Sequence, residues 1–191
     1  MREMGIQAIY PRQNTSKPEP GNKIYPYLLK GLQIDHPDHV WSIDITYIPI
    51  RTDWLYLVAI IDWYSRYVLH WEMSDNMEIE FVLETSRKAL EKSVPKIMNS
   101  DQGSHFTSSQ YSELFLKAGS RISMDHRGRA YDNIFIERLW RTVKYEDVYP
   151  KAYESPRDAR IGINRFMKYY NEERPHSILS YRIPAEVYQN K

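Results

Sequence analysis

The chain has no cysteine, which excludes disulfides, thiol nucleophiles and zinc sites built on thiolates. Long apolar runs are also missing: none approaches the roughly 20 residues of a membrane span, and we expect neither a signal peptide nor a membrane segment. Glycine occurs 7 times against 16 tyrosines. With 42% hydrophobic and 27% charged residues among 191, the composition predicts a soluble, globular, cytosolic protein with one main domain.

The small net charge of +1 conceals a segregation along the chain. Residues 31–101 carry 12 acidic and 6 basic side chains, whereas residues 121–191 carry 14 basic and 10 acidic ones, and residues 1–30 add a balance of +3. An acidic centre with basic flanks is compatible with cations bound in the middle and a polyanion bound at the edges. Solvated faces of different charge explain the same counts.

The hydrophobic pattern alternates short apolar runs with helical periodicity. Three strands joined by short turns predict an antiparallel meander, and two later strands alternate with helices, which indicates an α/β fold with a mixed five-stranded sheet. The predicted strands are WSIDITYIPI, WLYLVAIID, RYVLHWEM, KIMNS and RISM.

Helix boundaries follow from local signals. Asp75 with Glu78, and Thr107 with Gln110, have the spacing of capping boxes, and Gly119 is placed to end the second of these helices. A further helix from about residue 132 would bury Ile136, Leu139, Trp140 and Val143, and Ser155-Pro156 predicts a helix that ends near residue 170.

Three acidic residues occupy positions that solubility does not require. Asp44 lies within a predicted strand, Asp101 follows a strand in SDQGSHF, and Glu137 borders a buried helical stripe. Each alone has an ordinary explanation as a turn, strand-edge or surface residue. As a cluster, however, three carboxylates repel one another, and divalent cations with a preference for oxygen ligands, Mg²⁺ or Mn²⁺, would relieve that repulsion.

The order and spacing of these acids carry a family resemblance. Asp101 and Glu137 are separated by 35 residues, and Asp44 lies on the first strand. The chain resembles transposases of the insertion-sequence-three family, in their second-reading-frame product, and the catalytic core of retroviral integrases, an RNase H-like fold. The stretches that carry the resemblance are VWSIDITYIPI, WLYLVAIIDWYSRYVLHWEMSD, NSDQGSHFTS, RGRAYDNIFIERLWRTVKYEDVY and YYNEERPHSILSYRIPAEVY.

The resemblance implies an activity and a set of site residues. It implies that Asp44, Asp101 and Glu137 hold two Mg²⁺ (or Mn²⁺) ions and catalyse DNA strand cleavage and strand transfer, with transposon-end and target DNA as partners and a homo-oligomer on DNA. Lys144 matches a basic position of the family on the helix of Glu137. A nuclease that only hydrolyses DNA and a non-catalytic DNA-binding remnant are the alternatives.

The polar residues around this helix predict a DNA-facing surface. Seven residues are about two helical turns, so Lys144 and Glu137 would share a face, with Asn133 and Arg141 nearby. His105, beside Asp101, either contacts DNA or packs against the protein.

The domain organisation follows the same resemblance. We expect an extended lead-in over residues 1–38, an integrase-like core over 39–150 and a C-terminal helical extension over 151–191, with the upstream helix-turn-helix region of the family absent. We also expect a cytoplasmic, nucleoid-associated bacterial protein.

Three further groups of polar residues have a structural role as one interpretation. His36 and His39 in DHPDHVW lack thiolates and an obvious third ligand, which favours a surface loop over a metal site. Asp62 is interpreted as structural, with Arg66 as a possible partner. Arg174 in YYNEERPHS either packs in the core or contacts DNA.

Overall fold

The computed structural model describes residues 22–125 and 133–190. Five strands form one sheet in the order β3-β2-β1-β4-β5. The strands are β1 (Val40–Pro49), β2 (Trp54–Asp62), β3 (Val68–Ser74), β4 (Ile97–Ser100) and β5 (Arg121–Met124). The first three strands pair antiparallel, and β4 and β5 add parallel to β1. The predicted antiparallel meander and mixed five-stranded sheet are confirmed.

Helices cover both faces of this sheet. The helices are α1 (Ile79–Leu90), α2 (Ser104–Thr107), α3 (Ser109–Lys117), α4 (Ile134–Val143), α5 (Tyr149–Lys151), α6 (Pro156–Glu172) and α7 (Pro184–Gln189). A π-helix (Lys144–Val148) joins α4 to α5, and a 3₁₀ turn (Ser177–Leu179) precedes α7. None of the helices in the described ranges is long and apolar enough to cross a membrane.

Each sheet face has its own hydrophobic core. On one face, Leu57, Ala59 and Ile61 of β2 pack with the buried stripe of α4 and with α6. On the other face, alternate residues such as Val58 and Ile60 pack with α1 and α3. The alternation follows from the two-residue period of a strand, and it places the even-numbered residues of β1 on the α4 side.

The predicted helix ends are partly confirmed. Gly119, at φ +92°, closes α3, and the backbone N–H groups of Ser120 and Gly119 donate to the carbonyls of Phe115 and Leu116 in a Schellman arrangement. Ser155 caps α6 by accepting from the N–H of Asp158.

Both capping boxes are wrong. Helix α1 begins at Ile79 after Glu78, and no side chain caps it. The cap of α3 is Ser108, one residue later than predicted, because Thr107 ends the short helix α2 and uses its hydroxyl to donate to the Gly103 carbonyl.

Candidate active site

Two of the three predicted acids lie side by side, one on β1 and one just after β4, which are adjacent strands inside the sheet. Strands β1 and β4 are parallel, and Ser42 pairs with Asn99. Asp44 and Asp101 each follow these paired residues by two positions, so both side chains leave the neighbouring strands at the same level and on the same face. The parallel pairing therefore brings together residues that are 57 positions apart in the sequence.

Burial and neighbouring charges perturb the Asp44 carboxylate. Burial raises its pKa from 3.8 to about 6, and the negative charges of Asp101 and Glu137 act in the same direction. A hydrogen bond opposes the shift: the indole N–H of Trp140 on α4 donates to Asp44 Oδ2 at 2.8 Å. The contributions of both other acids indicate that Asp101 and Glu137 lie near Asp44.

Asp101 is held by the turn that follows β4. The backbone N–H of Gly103 donates to Asp101 Oδ1 at 2.8 Å. Two amide side chains tie this turn to the end of β5: Asn99 donates to the Asp125 carboxylate and Gln102 donates to the Asp125 carbonyl, both at 2.8 Å. The Gly103 N–H thus orients the exposed Asp101 carboxylate, and the bonds to Asp125 hold the turn that carries it.

Glu137 comes from the first turn of α4 and is exposed. Helix α4 packs on β1 through its buried stripe, the Trp140 hydrogen bond ties it to Asp44, and the charge of Glu137 acts on that carboxylate. The ligand atoms of the three acids do not all lie within 4.8 Å of one another. Two oxygens bound to opposite sides of one Mg²⁺ are about 4.2 Å apart, so the three acids span more than the shell of one ion.

The two predicted basic residues, Lys144 and Arg141, do not lie on one continuous α-helix. Lys144 is the first residue of the π-helix rather than part of a continuous α-helix. Burial lowers the pKa of Lys144, and the charge of Asp44 opposes part of that shift. The ammonium therefore lies near the Asp44 carboxylate. Arg141 is exposed and stacks on Tyr145, with its guanidinium 6.0 Å from the ring centroid.

Two residues of the predicted DNA surface differ from expectation. Asn133 does not share an exposed stripe with Arg141, because it is only 7% exposed and immediately precedes α4. His105 is partly buried, and its Nε2 lies 2.8 Å from the Met77 carbonyl, which it contacts as a donor. This hydrogen bond is a packing contact of His105, and its contact with DNA stays a prediction.

The remaining polar residues have structural partners. The buried Asp62 accepts from the backbone N–H and hydroxyl of Ser65 and from the backbone N–H of Asp38, so its structural interpretation is confirmed. Its suggested partner Arg66 instead lies 3.6 Å from the Phe135 ring centroid.

Arg174 also belongs to the internal architecture. Its Nε and Nη2 donate to the two Glu146 carboxylate oxygens at 2.8 and 2.6 Å, which fastens the chain after α6 to the π-helix.

Two residues of the site were missed from the sequence. Trp140 was assigned only to the buried stripe, although a buried indole N–H needs an acceptor and Asp44 is its partner. Gly103 is the second, and its φ of −63° is open to any residue. Its role is steric, because a Cβ there would lie 2.9 Å from Asp101 Oδ1.

Comparison with known proteins identifies relatives of this chain. Two family models, both described as integrase core domain, match residues 34–130 and 118–184. The transposase for insertion sequence element IS904 of Lactococcus lactis is 36% identical over 154 residues, which cover 78% of this chain and 61% of that protein. Transposase InsF for insertion sequence IS3A of Escherichia coli is 30% identical over 159 residues, 81% of this chain and 55% of that protein. The chain therefore spans between half and two thirds of the length of these relatives.

Solved structures share the fold at low sequence identity. The HTLV-2 integrase catalytic core domain, solved with magnesium, superposes with a TM-score of 0.64 at 17% identity, over 80% of this chain and 97% of that one. A chain of the simian T-cell lymphotropic virus intasome superposes with a TM-score of 0.69 at 16% identity, over 92% of this chain and 60% of that one. These neighbours confirm the RNase H-like fold class. The family match, the transposase relatives and the shared fold together show that the chain belongs to the integrase core domain family, as its resemblance to insertion-sequence-three transposases predicted.

Proposed function

We propose that this chain is the catalytic core of a transposase that cleaves DNA strands and joins them to new sites. The observation that carries the proposal is the approach of Asp44, Asp101 and Glu137 from β1, the end of β4 and α4, where burial and then the charges of the latter two raise the pKa of Asp44. Carboxylates that repel one another at an accessible edge fit a cation site better than a structural ion pair.

The donor set fits two divalent cations. The three acids offer only oxygen ligands, which suit Mg²⁺ or Mn²⁺, and their spread beyond one coordination shell suits two ions. Held by Asp44, Asp101 and Glu137, such a pair would supply Lewis-acid activation of an attacking oxygen and charge stabilisation of the leaving oxygen of a phosphodiester. The magnesium named with the HTLV-2 integrase core supports this assignment by analogy.

The chain's own residues position these ligands and the DNA. Trp140 orients Asp44, and the Gly103 N–H orients Asp101. Lys144 and the exposed Arg141 lie on the same side as the acids and would contact the phosphate backbone. Water would first attack a phosphodiester at the element's end, and the 3′-OH released would then attack a phosphodiester of the target.

The partners follow from this reaction. Transposon ends and target DNA are the proposed substrates, and joining two ends to one target favours a homo-oligomer on DNA. A bacterial protein of this function would act in the cytoplasm at the nucleoid.

The test measures end cleavage and strand transfer with Mg²⁺ for Asp44→Asn, Asp101→Asn and Glu137→Gln. We expect each change to abolish both activities, and Glu113→Gln, an exposed carboxylate paired with Lys117 on α3, to leave them intact. Full activity in any of the three variants would remove that residue from the site. Pre-cut ends separate the two steps: cleavage without joined products would indicate a nuclease rather than a transposase.

A further inference from the structure

A second group of potential metal ligands lies in the loop that leads into β1. In the described residues, one set of three His, Asp or Glu side chains brings its ligand atoms within 4.8 Å of one another: Asp35, His36 and His39. Sequence spacing alone did not reveal it, because the third ligand is a carboxylate adjacent to the first histidine. The turn folds back so that residues 35 and 39 meet.

The loop is held rigidly from its other side. The Asp38 carboxylate accepts from the indole N–H of Trp41 at 3.0 Å, the hydroxyl of Tyr188 at 2.7 Å and the hydroxyl of Ser93 at 2.6 Å. The backbone carbonyls of Asp38 and His39 accept from the start of β4 at 2.9 and 3.0 Å. These bonds fix the backbone from which the three side chains project, so a ligand would meet a preformed site.

The distances match a tetrahedral coordination shell. Asp35 Oδ1 lies 3.2 Å from His39 Nδ1 and 3.6 Å from His36 Nδ1. Ligands bound to zinc at 2.0–2.1 Å are about 3.4 Å apart along the edge of a tetrahedron. His36 Nδ1 is inaccessible to solvent and has no hydrogen-bond partner among the described residues, although buried polar atoms normally have one.

We propose that Asp35, His36 and His39 form a binding site for a first-row transition-metal cation of the Zn²⁺ type, with water as the fourth ligand. Two imidazoles and one carboxylate suit such a cation, whereas the all-oxygen set at Asp44 suits Mg²⁺. The sites are also separate in space. The loop lies at the N-terminal end of β1, and Asp44 lies four residues beyond Val40, roughly 13 Å along the strand.

Lys96 supplies a specific check on this site. Its ammonium lies 2.8 Å from His36 Nε2 and donates to it, which keeps the proton of the neutral ring on Nδ1. A cation at Nδ1 requires the other neutral tautomer, in which the ring proton has moved from Nδ1 to Nε2 and an N–H group faces the Lys96 ammonium. The exposed lysine therefore opposes metal binding, and a carboxylate at this position would accept from Nε2 and favour it.

The experiment titrates the full chain with Zn²⁺ by calorimetry and with Co²⁺ by visible absorption, in a background of Asp44→Asn, Asp101→Asn and Glu137→Gln that removes the competing carboxylates. We expect one Zn²⁺ per chain and the intense absorption of tetrahedral Co²⁺. His36→Ala and His39→Ala should each weaken binding by at least about 100-fold, and Asp35→Asn by about tenfold. His70→Ala, a histidine outside the loop, should leave the affinity unchanged.

Lys96→Glu should tighten Zn²⁺ binding by about tenfold. A loss of folding would weaken binding, so it cannot produce this result. Unchanged affinity in both loop-histidine variants would overturn the proposal, as would the weak absorption of octahedral Co²⁺. If the histidine variants fail to fold, the Lys96→Glu variant decides. A Zn²⁺ affinity of Lys96→Glu that is no tighter than that of the unchanged lysine would also overturn the proposal.

Discussion

At the scale of single residues, the Asp44 carboxylate combines a functional position with a cost in stability. Its pKa of about 6 exceeds the 3.8 of an unperturbed carboxyl. Between these values the folded protein retains a proton that the unfolded chain has released, so the free energy of unfolding falls as pH rises from about 4 to about 6. Above pH 6 the ionised carboxylate destabilises the cation-free protein.

Asp44→Asn should therefore stabilise the protein while abolishing activity. The amide keeps an oxygen that can accept from Trp140 but carries no charge. At pH 7.5 with a chelator, we expect the free energy of unfolding to rise by about 1–3 kcal/mol, measured by urea denaturation. The gain should disappear below about pH 4, where the wild-type carboxyl is neutral. A gain that persists at pH 3.5 would contradict this electrostatic explanation.

Gly103→Ala tests whether space beside Asp101 matters for function. The backbone at φ −63° and ψ 154° accepts alanine, so the free energy of unfolding should change by less than about 1 kcal/mol. The new Cβ, 2.9 Å from Asp101 Oδ1, should push the carboxylate away and lower strand-transfer activity by about tenfold or more. Ser104→Ala, at the exposed neighbouring position, is the control and should retain activity. Equal activity in both variants would show that Asp101 tolerates the displacement.

At the scale of secondary-structure elements, the segment after α4 is anchored through one buried acid. Asp147 in the π-helix is buried, and it accepts from the Tyr153 hydroxyl and the Lys151 ammonium. The Tyr153 ring lies directly against Gly162 of α6, where a Cβ would be 1.9 Å from the hydroxyl oxygen. Gly162 thus leaves room for Tyr153, whose contact with Asp147 holds the π-helix against α6. The first residue of this π-helix is Lys144.

In a double-mutant cycle, the effect of Gly162→Ala on the free energy of unfolding should change sign when Tyr153 is replaced. Alone, Gly162→Ala should lower the free energy of unfolding by about 1–3 kcal/mol, because the tyrosine ring must move and Asp147 loses the Tyr153 hydroxyl, one of its two donors among the described residues. In a Tyr153→Ala background the space is free, and Gly162→Ala should raise stability by up to about 1 kcal/mol through helix propensity. Urea denaturation of the four proteins measures the coupling. Equal effects in both backgrounds would show that the two residues act independently.

At the scale of the whole molecule, the opposed charges of centre and flanks have distinct expected roles. The net charge of +1 gives little long-range attraction for DNA, and the proposed phosphate contacts are few. We expect this chain alone to bind DNA weakly, with little dependence on sequence and with an affinity that falls linearly on a log–log plot against salt. Fluorescence anisotropy with transposon-end and scrambled duplexes measures this, and tight binding confined to the end sequence would contradict it.

Cations should stabilise the whole fold through the acidic centre. Mg²⁺ binds the ionised carboxylates of the folded state and relieves their repulsion, so it should raise the melting temperature in a concentration-dependent way. Calorimetric melts at pH 7.5 with Mg²⁺ and with a chelator provide the comparison. The Asp44→Asn variant should show a smaller rise, and an equal rise in both proteins would place the stabilising ion elsewhere.

Much of the fold could be predicted because burial leaves a periodic trace in the sequence. The alternation in β1 and β2 and the spacing of Ile136, Leu139, Trp140 and Val143 record which sides of each element face the core. The positions of Asp44, Asp101 and Glu137 followed from their spacing, and the family from the motifs around them. These signals are local, so one sequence is enough to identify them.

Other features depended on contacts between distant parts of the chain. The partner of the Trp140 indole, the burial of Asn133, the space that Gly103 leaves and the grouping of Asp35 with two histidines carry no periodic signal. The π-helix has none either, since its packing on α6 depends on a tyrosine 9 residues before Gly162. The sequence by itself determined which residues could do chemistry and which sides of each element are apolar. Only the tertiary structure decided which of those residues meet, because a side chain's neighbours across a sheet or a helix interface are set by the packing of whole elements.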